Sequence, residues 1–257
     1  MHLLSQWLKT GRRRYRLLLP VIVYLGLAIL PAAASAIGVA SVLPETGKPD
    51  KQQRQFARLL SRLRENSQKI SNWVQLIEYA HKMHPAPAVS SSGQKAIASA
   101  ETEYKHHCAR KHCSRAAGAL RQAIETAPWI SRLYFEFGAA EVMAGNYRLA
   151  SPFLTVYYRV HFALHPRLPN AYRPHAIQRI HPPATQAGKY PGCEVQLRTT
   201  IGVDGLAHKI SIAHSKCSQW QNQKAMQALH DWLFKPARMA NRPVSETVVI
   251  SVISRFY

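Results

Sequence analysis

The four cysteines offer the most chemistry in this chain, and they fall into two local pairs, Cys108 with Cys113 and Cys193 with Cys217. A thiolate can ligate a metal or act as a nucleophile, and two thiols can close a disulfide. Cys108 and Cys113 lie in the run HHCARKHC, where His106, His107 and His112 add imidazoles. That set could hold zinc or copper, but its spacing follows no standard zinc motif, and Arg110 and Lys111 oppose a cation. The alternative is a disulfide joining the end of one helix to the start of the next. An even cysteine count in an exported chain favours bridges, so both pairs are predicted as disulfides, with no metal and no cofactor.

Catalysis has little to work with. No Gly-rich phosphate loop, nucleophile elbow or His-Glu-x-x-His occurs, and the three aspartates, Asp50, Asp204 and Asp231, form no evident carboxylate pair. The chain reads as a non-enzyme. Its charge says more: 34 Lys plus Arg against 13 Asp plus Glu give a formal net charge of +21 over 257 residues, 47% of them hydrophobic. That content suffices for a packed core, and the basic excess suits anionic partners such as nucleic acid, phospholipid or lipopolysaccharide. No helix-turn-helix, zinc-finger or aromatic RNA-binding motif accompanies it, so nucleic acid is not expected.

The address is written in residues 1–43. Lys9, Arg12, Arg13, Arg14 and Arg16 precede an apolar run, Leu17 to Leu30, and Pro31 to Ala36 offers an Ala-x-Ala cleavage site. No charge follows until Glu45, so the same stretch is also long enough for an uncleaved anchor in the inner membrane, within residues 17–43. In both readings the arginines stay cytoplasmic and the rest is exported to the periplasm.

The second cysteine pair brackets the clearest pattern in the chain, a predicted hairpin, helix and strand over Cys193 to Tyr257. Asp204-Gly205 suits a type I′ turn and is flanked by period-two alternation. Closing there pairs Val203 with Leu206, Ile201 with His208, Thr199 with Ile210, Leu197 with Ile212 and Val195 with His214. Cys193 then opposes Lys216 and lies beside Cys217, so a bridge needs a bulge or a frayed end. A helix from Ser218 to Phe234, with Trp220, Met226, Leu229 and Leu233 as its stripe, covers the apolar face and stops before Pro236. The last strand, Thr247 to Tyr257, carries Val248, Ile250, Val252 and Phe256 on one side.

The stretches VQLRTTIGVDGLAHKISIAHS, AMQALHDWLFKPA and NRPVSETVVISVISRF, in that order, resemble the C-terminal domain of TonB-type energy transducers, over residues 190–257. The resemblance implies a ββαβ fold whose last strand accepts an extended segment of an outer-membrane transporter. Here that strand would be Thr247, Val248, Val249, Ile250, Ser251, Val252, Ile253, Ser254, Arg255, Phe256 and Tyr257, with backbone hydrogen bonds giving affinity. Paired instead with a second copy of itself, the same edge would make a homodimer. The long Pro-rich span typical of TonB proper is absent, and a helical segment stands in its place.

Upstream, Lys51 to Glu65 and Ile70 to Met83 carry apolar residues at helical spacing. Ala116 to Ala150 resembles a tetratricopeptide-repeat junction: Ala116, Leu120, Ala123 and Pro128 close one unit, and Tyr134, Phe137, Gly138, Gly145, Tyr147 and Ala150 begin the next. Glu141 and Tyr157 depart from that pattern, and two or three such units would form a compact bundle. The predicted fold class is therefore α+β. A leader or anchor (1–43) precedes a tetratricopeptide-like helical domain (44–166), a linker (167–188) and a TonB-like ββαβ domain (189–257). Two functions follow as expectations. One is an envelope transducer or adaptor that binds a protein partner by strand addition, coupled to the inner membrane through its N-terminus. The other is a periplasmic scaffold whose helical repeats bind proteins and whose ββαβ module docks or dimerises.

Overall fold

The computed structural model describes residues 50–108, 113–166, 173–179 and 193–254. The predicted leader and anchor lie outside them. Among the described residues no helix is long and apolar enough to cross a membrane.

The chain is α+β. Among the described residues six helices come first: α1 Lys51–Glu65, α2 Ile70–Lys82, α3 Ser91–Glu103, α4 Cys113–Thr126, α5 Ser131–Met143 and α6 Tyr147–Leu164, with a π-helical turn Tyr104–Cys108 after α3. Asp50 starts α1 through a capping box with Gln53. Between α5 and α6 the predicted Gly145 turn is present: Gly145 has φ 81, and Asn146 N–H reaches back to the Glu141 carbonyl at 2.8 Å. This is a Schellman ending, in which glycine takes the left-handed position without penalty. Gly138 lets α5 approach α6 closely, since a Cβ there would stand 2.5 Å from Leu154 Cγ.

Consecutive helices from α3 to α6 pack pairwise, as do α1 and α2, and α2 also packs on α6. That contact closes the array into a bundle. Its core holds Phe56, Trp73, Tyr134, Phe137 and Phe153. The two polar tips inside it are satisfied: Trp73 Nε1 donates to the Ser67 carbonyl at 2.6 Å and Tyr134 Oη to the Pro128 carbonyl at 2.6 Å.

The second half contains β1 His175–Gln178, β2 Cys193–Ile201, β3 Ala207–Ser215, α7 Gln219–His230, β4 Leu233–Lys235, β5 Ala237–Met239, β6 Arg242–Val244 and β7 Glu246–Ser254. A three-stranded antiparallel sheet runs in the order β3-β2-β7, beside the two small ribbons β1-β4 and β5-β6. The helix α7 covers one face of the sheet, burying Ala225 and Leu229 against Val195, Leu197, Ile201 and Val252.

Several expectations need correcting. The β2-β3 turn is not type I′, because only Gly205 is left-handed (φ 72), while Gly205 N–H donates to the Gly202 carbonyl and Gly202 N–H to that of Leu206. It is a three-residue turn with a glycine bulge. The expected register survives only around Leu197 opposite Ile212; toward the turn Thr200 faces His208, and toward the open end Val195 faces Ser215. The helix expected to reach Phe234 ends at His230. Trp232 and Leu233 are buried as the chain leaves it, whereas Trp220, placed in the covering stripe, is 39% exposed. The predicted linker contains β1, which pairs with β4.

The two halves share a core. Leu206 and Leu233 are buried with Ala139, Val142, Ala150, Leu154 and Tyr158 of α5 and α6. Tyr158 Oη donates to the Phe234 carbonyl at 2.8 Å, and Phe234 N–H to that of Gly205 at 2.9 Å.

Candidate partner-binding edge

The last strand sits at the rim of its sheet. β7 pairs with β2 from Ser254 opposite Cys193 to Glu246 opposite Ile201 without a register break, and β2 is its single neighbour among the described strands. Its other flank therefore presents backbone N–H and C=O groups, the template for adding a strand. Side chains alternate as expected. Val248, Ile250 and Val252 face the α7-covered core, while Val249 (55% exposed) and Ile253 (46%) stand on the opposite face. Thr200 and Thr247 hydroxyls meet at 3.0 Å and Ser251 Oγ donates to Glu194 Oε1 at 2.5 Å, fixing the strand across the ladder. Of the predicted strand residues, Arg255, Phe256 and Tyr257 lie outside the described residues.

β3 forms the other rim and differs in kind. Two extra residues interrupt it, and Lys209 at one interruption is left-handed with φ 52. Thr199, opposite that bulge and buried, turns its hydroxyl to the His208 carbonyl at 2.9 Å. The second bulge, at Ala213 opposite the step from Gln196 to Leu197, shifts the outer ladder so that Val195 faces Ser215, which brings Cys217 within reach of Cys193. The predicted disulfide closes there, with Cα atoms 5.9 Å apart.

Cys108 and Cys113 correct the second predicted bridge: both are free and buried. Burial pushes both thiols up in pKa, and the hydrogen bond between them raises Cys108 further while partly offsetting the rise at Cys113. Protonated thiols are poor nucleophiles and poor ligands. Among the described residues no group of three His, Cys, Asp or Glu gathers to hold a metal; Arg110, Lys111 and His112 lie outside those residues.

Asp204 has a role that its place in a turn motif did not signal. Its buried carboxylate accepts from Ser151 Oγ of α6 (2.6 Å), from Leu206 N–H (3.1 Å) and from His208 Nε2 (3.0 and 3.1 Å to its two oxygens). Burial alone would raise its pKa, but the His208 and Ser151 hydrogen bonds outweigh it and hold the carboxyl below its ordinary value. His208 is raised in turn, chiefly by its bond to Asp204. With both carboxylate oxygens used this way, the trio positions the hairpin turn on α6. The chain matches no protein-family model, no curated protein and no solved structure.

Proposed function

We propose that this chain is a TonB-like cell-envelope protein that captures an extended segment of a partner by strand addition to β7. The observation that carries this reading is the contrast in the sheet: one rim is bulged and stapled, while the other is an unbroken nine-residue ladder with a vacant flank among the described strands. Exposed Val249 and Ile253 supply apolar contact beside that flank. The partner is an outer-membrane transporter or another envelope protein, and a second copy of β7 would occupy the same edge in a homodimer. The chain works in the periplasm, held at the inner membrane by residues 17–43 if these are retained. Neither catalysis nor nucleic acid enters this reading.

The six-helix bundle is the tetratricopeptide-like part of the proposal. Its closure by α2 on α6 and the core it shares with the sheet favour a second reading, a rigid scaffold in which β7 is only a docking edge. Photo-crosslinking from Val249 in intact envelopes, with Ala213 on β3 as the reference position, tests strand addition. Adducts with an outer-membrane protein, or with the chain itself, form from Val249 and not from Ala213. Equal adducts from both positions, or none from Val249, reject the edge model. Retention of an intact N-terminus in the mature protein favours the transducer; a cleaved, freely soluble form favours the scaffold.

A further inference from the structure

Arg238, on β5, is 2% exposed. Its Nη2 donates to the Pro166 carbonyl at 3.2 Å and to Asn241 Oδ1, and its guanidinium lies over the Phe162 ring, 5.4 Å from the centroid. Among the described residues Nε and Nη1 find no acceptor. A buried guanidinium with two unused nitrogens and no carboxylate among the described residues beside it costs stability unless an anion completes it.

The surroundings are cationic. Lys235 Nζ stands over the same Phe162 ring at 5.7 Å. Burial, reinforced by Lys235, His165 and Arg238, pulls His161 down to about 4. The chain carries no acidic residue between Glu141 and Glu194, so the segment that follows Pro166 brings no carboxylate of its own.

A cleft opens beside this place. Val74 and Glu78 of α2, Arg159 and Ala163 of α6, and Ala240 to Pro243 at the β5-β6 turn enclose a cleft of about 590 Å³. Arg238 lies directly behind its wall: Asn241 accepts its Nη2 bond, and Pro243 is its partner across the ribbon. Ala240 and Asn241, both left-handed at φ 45 and 63, turn the chain so that Arg242 joins Arg159 in the lining. Glu78 is the one carboxylate among the described lining residues.

We propose that this cleft binds a phosphate-type oxyanion, with Arg159 and Arg242 at the mouth and Arg238 behind them. Planar guanidinium groups with paired donors match the tetrahedral oxygens of phosphate better than an ammonium would. The site is independent of the β7 edge and gives the basic excess of the chain a specific use. Two sources share this chemistry, a free phosphate group and the headgroup of an anionic phospholipid.

The experiment uses the full chain. Thermal unfolding is followed in inorganic phosphate and in chloride at matched ionic strength, and sedimentation is followed with phosphatidylglycerol vesicles against neutral phosphatidylcholine ones. Phosphate should raise the midpoint, because an anion bound to the folded state stabilises it. Arg159→Gln and Arg242→Gln, both at exposed positions, should each weaken that binding by about tenfold, the effect of one charge-assisted contact. Arg238→Met should unfold no earlier than the parent without phosphate, since a buried uncompensated charge is removed, and should lose the phosphate-dependent rise. A phosphate effect alone assigns the cleft to a soluble anion. Binding to anionic vesicles that phosphate competes and Arg242→Gln weakens assigns it to a headgroup. Equal midpoints in phosphate and chloride, together with vesicle binding that survives both glutamine variants, would overturn the proposal, as would a phosphate effect that persists in Arg238→Met.

Discussion

β3 and β7 flank the same central strand, yet they meet solvent in different ways. β3 is interrupted twice, carries a left-handed lysine and is followed, two residues past its end, by Cys217, which is bonded covalently to β2. β7 keeps one register for nine residues and is held by its ladder. Bulges, charge and irregularity are how sheets discourage further pairing. Finding them on one rim and not on the other teaches that the sheet is asymmetric in what it can recruit, although both rims are equally peripheral. The sequence pattern hinted at this only weakly, because both strands alternate.

The largest expected effect comes from moving the interruption to the other rim. Val249→Pro or Ser251→Pro should eliminate partner capture or dimerisation while circular dichroism shows the helices intact; Ala213→Pro on β3 should leave capture unchanged. If the β3 variant is the one that loses the partner, the comparison is reversed.

Next in size is Gly205→Ala. The new Cβ would stand 2.2 Å from the Phe234 carbonyl oxygen, at a φ of 72. Clash and left-handed strain together should cost on the order of 3 kcal/mol in urea unfolding. A loss below about 1 kcal/mol would mean that the turn can back away from α6 without harm.

Cys193→Ser should cost about 3 kcal/mol or somewhat less, by the chain-entropy estimate for a loop of this size. Amide exchange should quicken at Ser211–Ser215 far more than along β7. Equal loosening of both strands would show that the bridge supports the whole sheet rather than one rim.

The smallest effect is electrostatic. Asp204 is depressed, so its contribution is present above its unfolded pKa and lost as pH falls through the lower folded value. His208 is raised, so its contribution is full below its unfolded pKa and lost as pH rises through the higher folded value. Stability should therefore plateau between the two. His208→Gln should flatten the alkaline side of the midpoint-versus-pH curve, by at most about 1 kcal/mol for so exposed a partner.

Much of the architecture was legible in the residues. Alternation from Val195 to Ile201 and from Val248 to Val252 located the strands, Gly138 and Gly145 marked a close helix approach and a turn, and the need for a bulge between Cys193 and Cys217 followed from the expected pairing. What escaped depends on contacts distant in sequence. Asp204-Gly205 carries the type I′ signature, but the two-residue turn with both φ positive is Ala240-Asn241, where Asn241 is held by Arg238. Leu233 and Phe234 continue a helical stripe on paper, yet β1 supplies a backbone to pair with. Arg238 reads as an ordinary surface arginine until Phe162 is laid beneath it. The candidate edge was legible as a strand, but its position at a rim is a fact of topology that no local pattern carries.

The plug of Leu206 and Leu233 into α5 and α6 has a thermodynamic corollary. Neither half can shed its partner without opening a shared apolar seam to water, so bundle and sheet should melt as one cooperative unit. Calorimetry of the folded chain would then trace a single endotherm, and a cut between α6 and β2 would leave two fragments that must reassociate to become soluble.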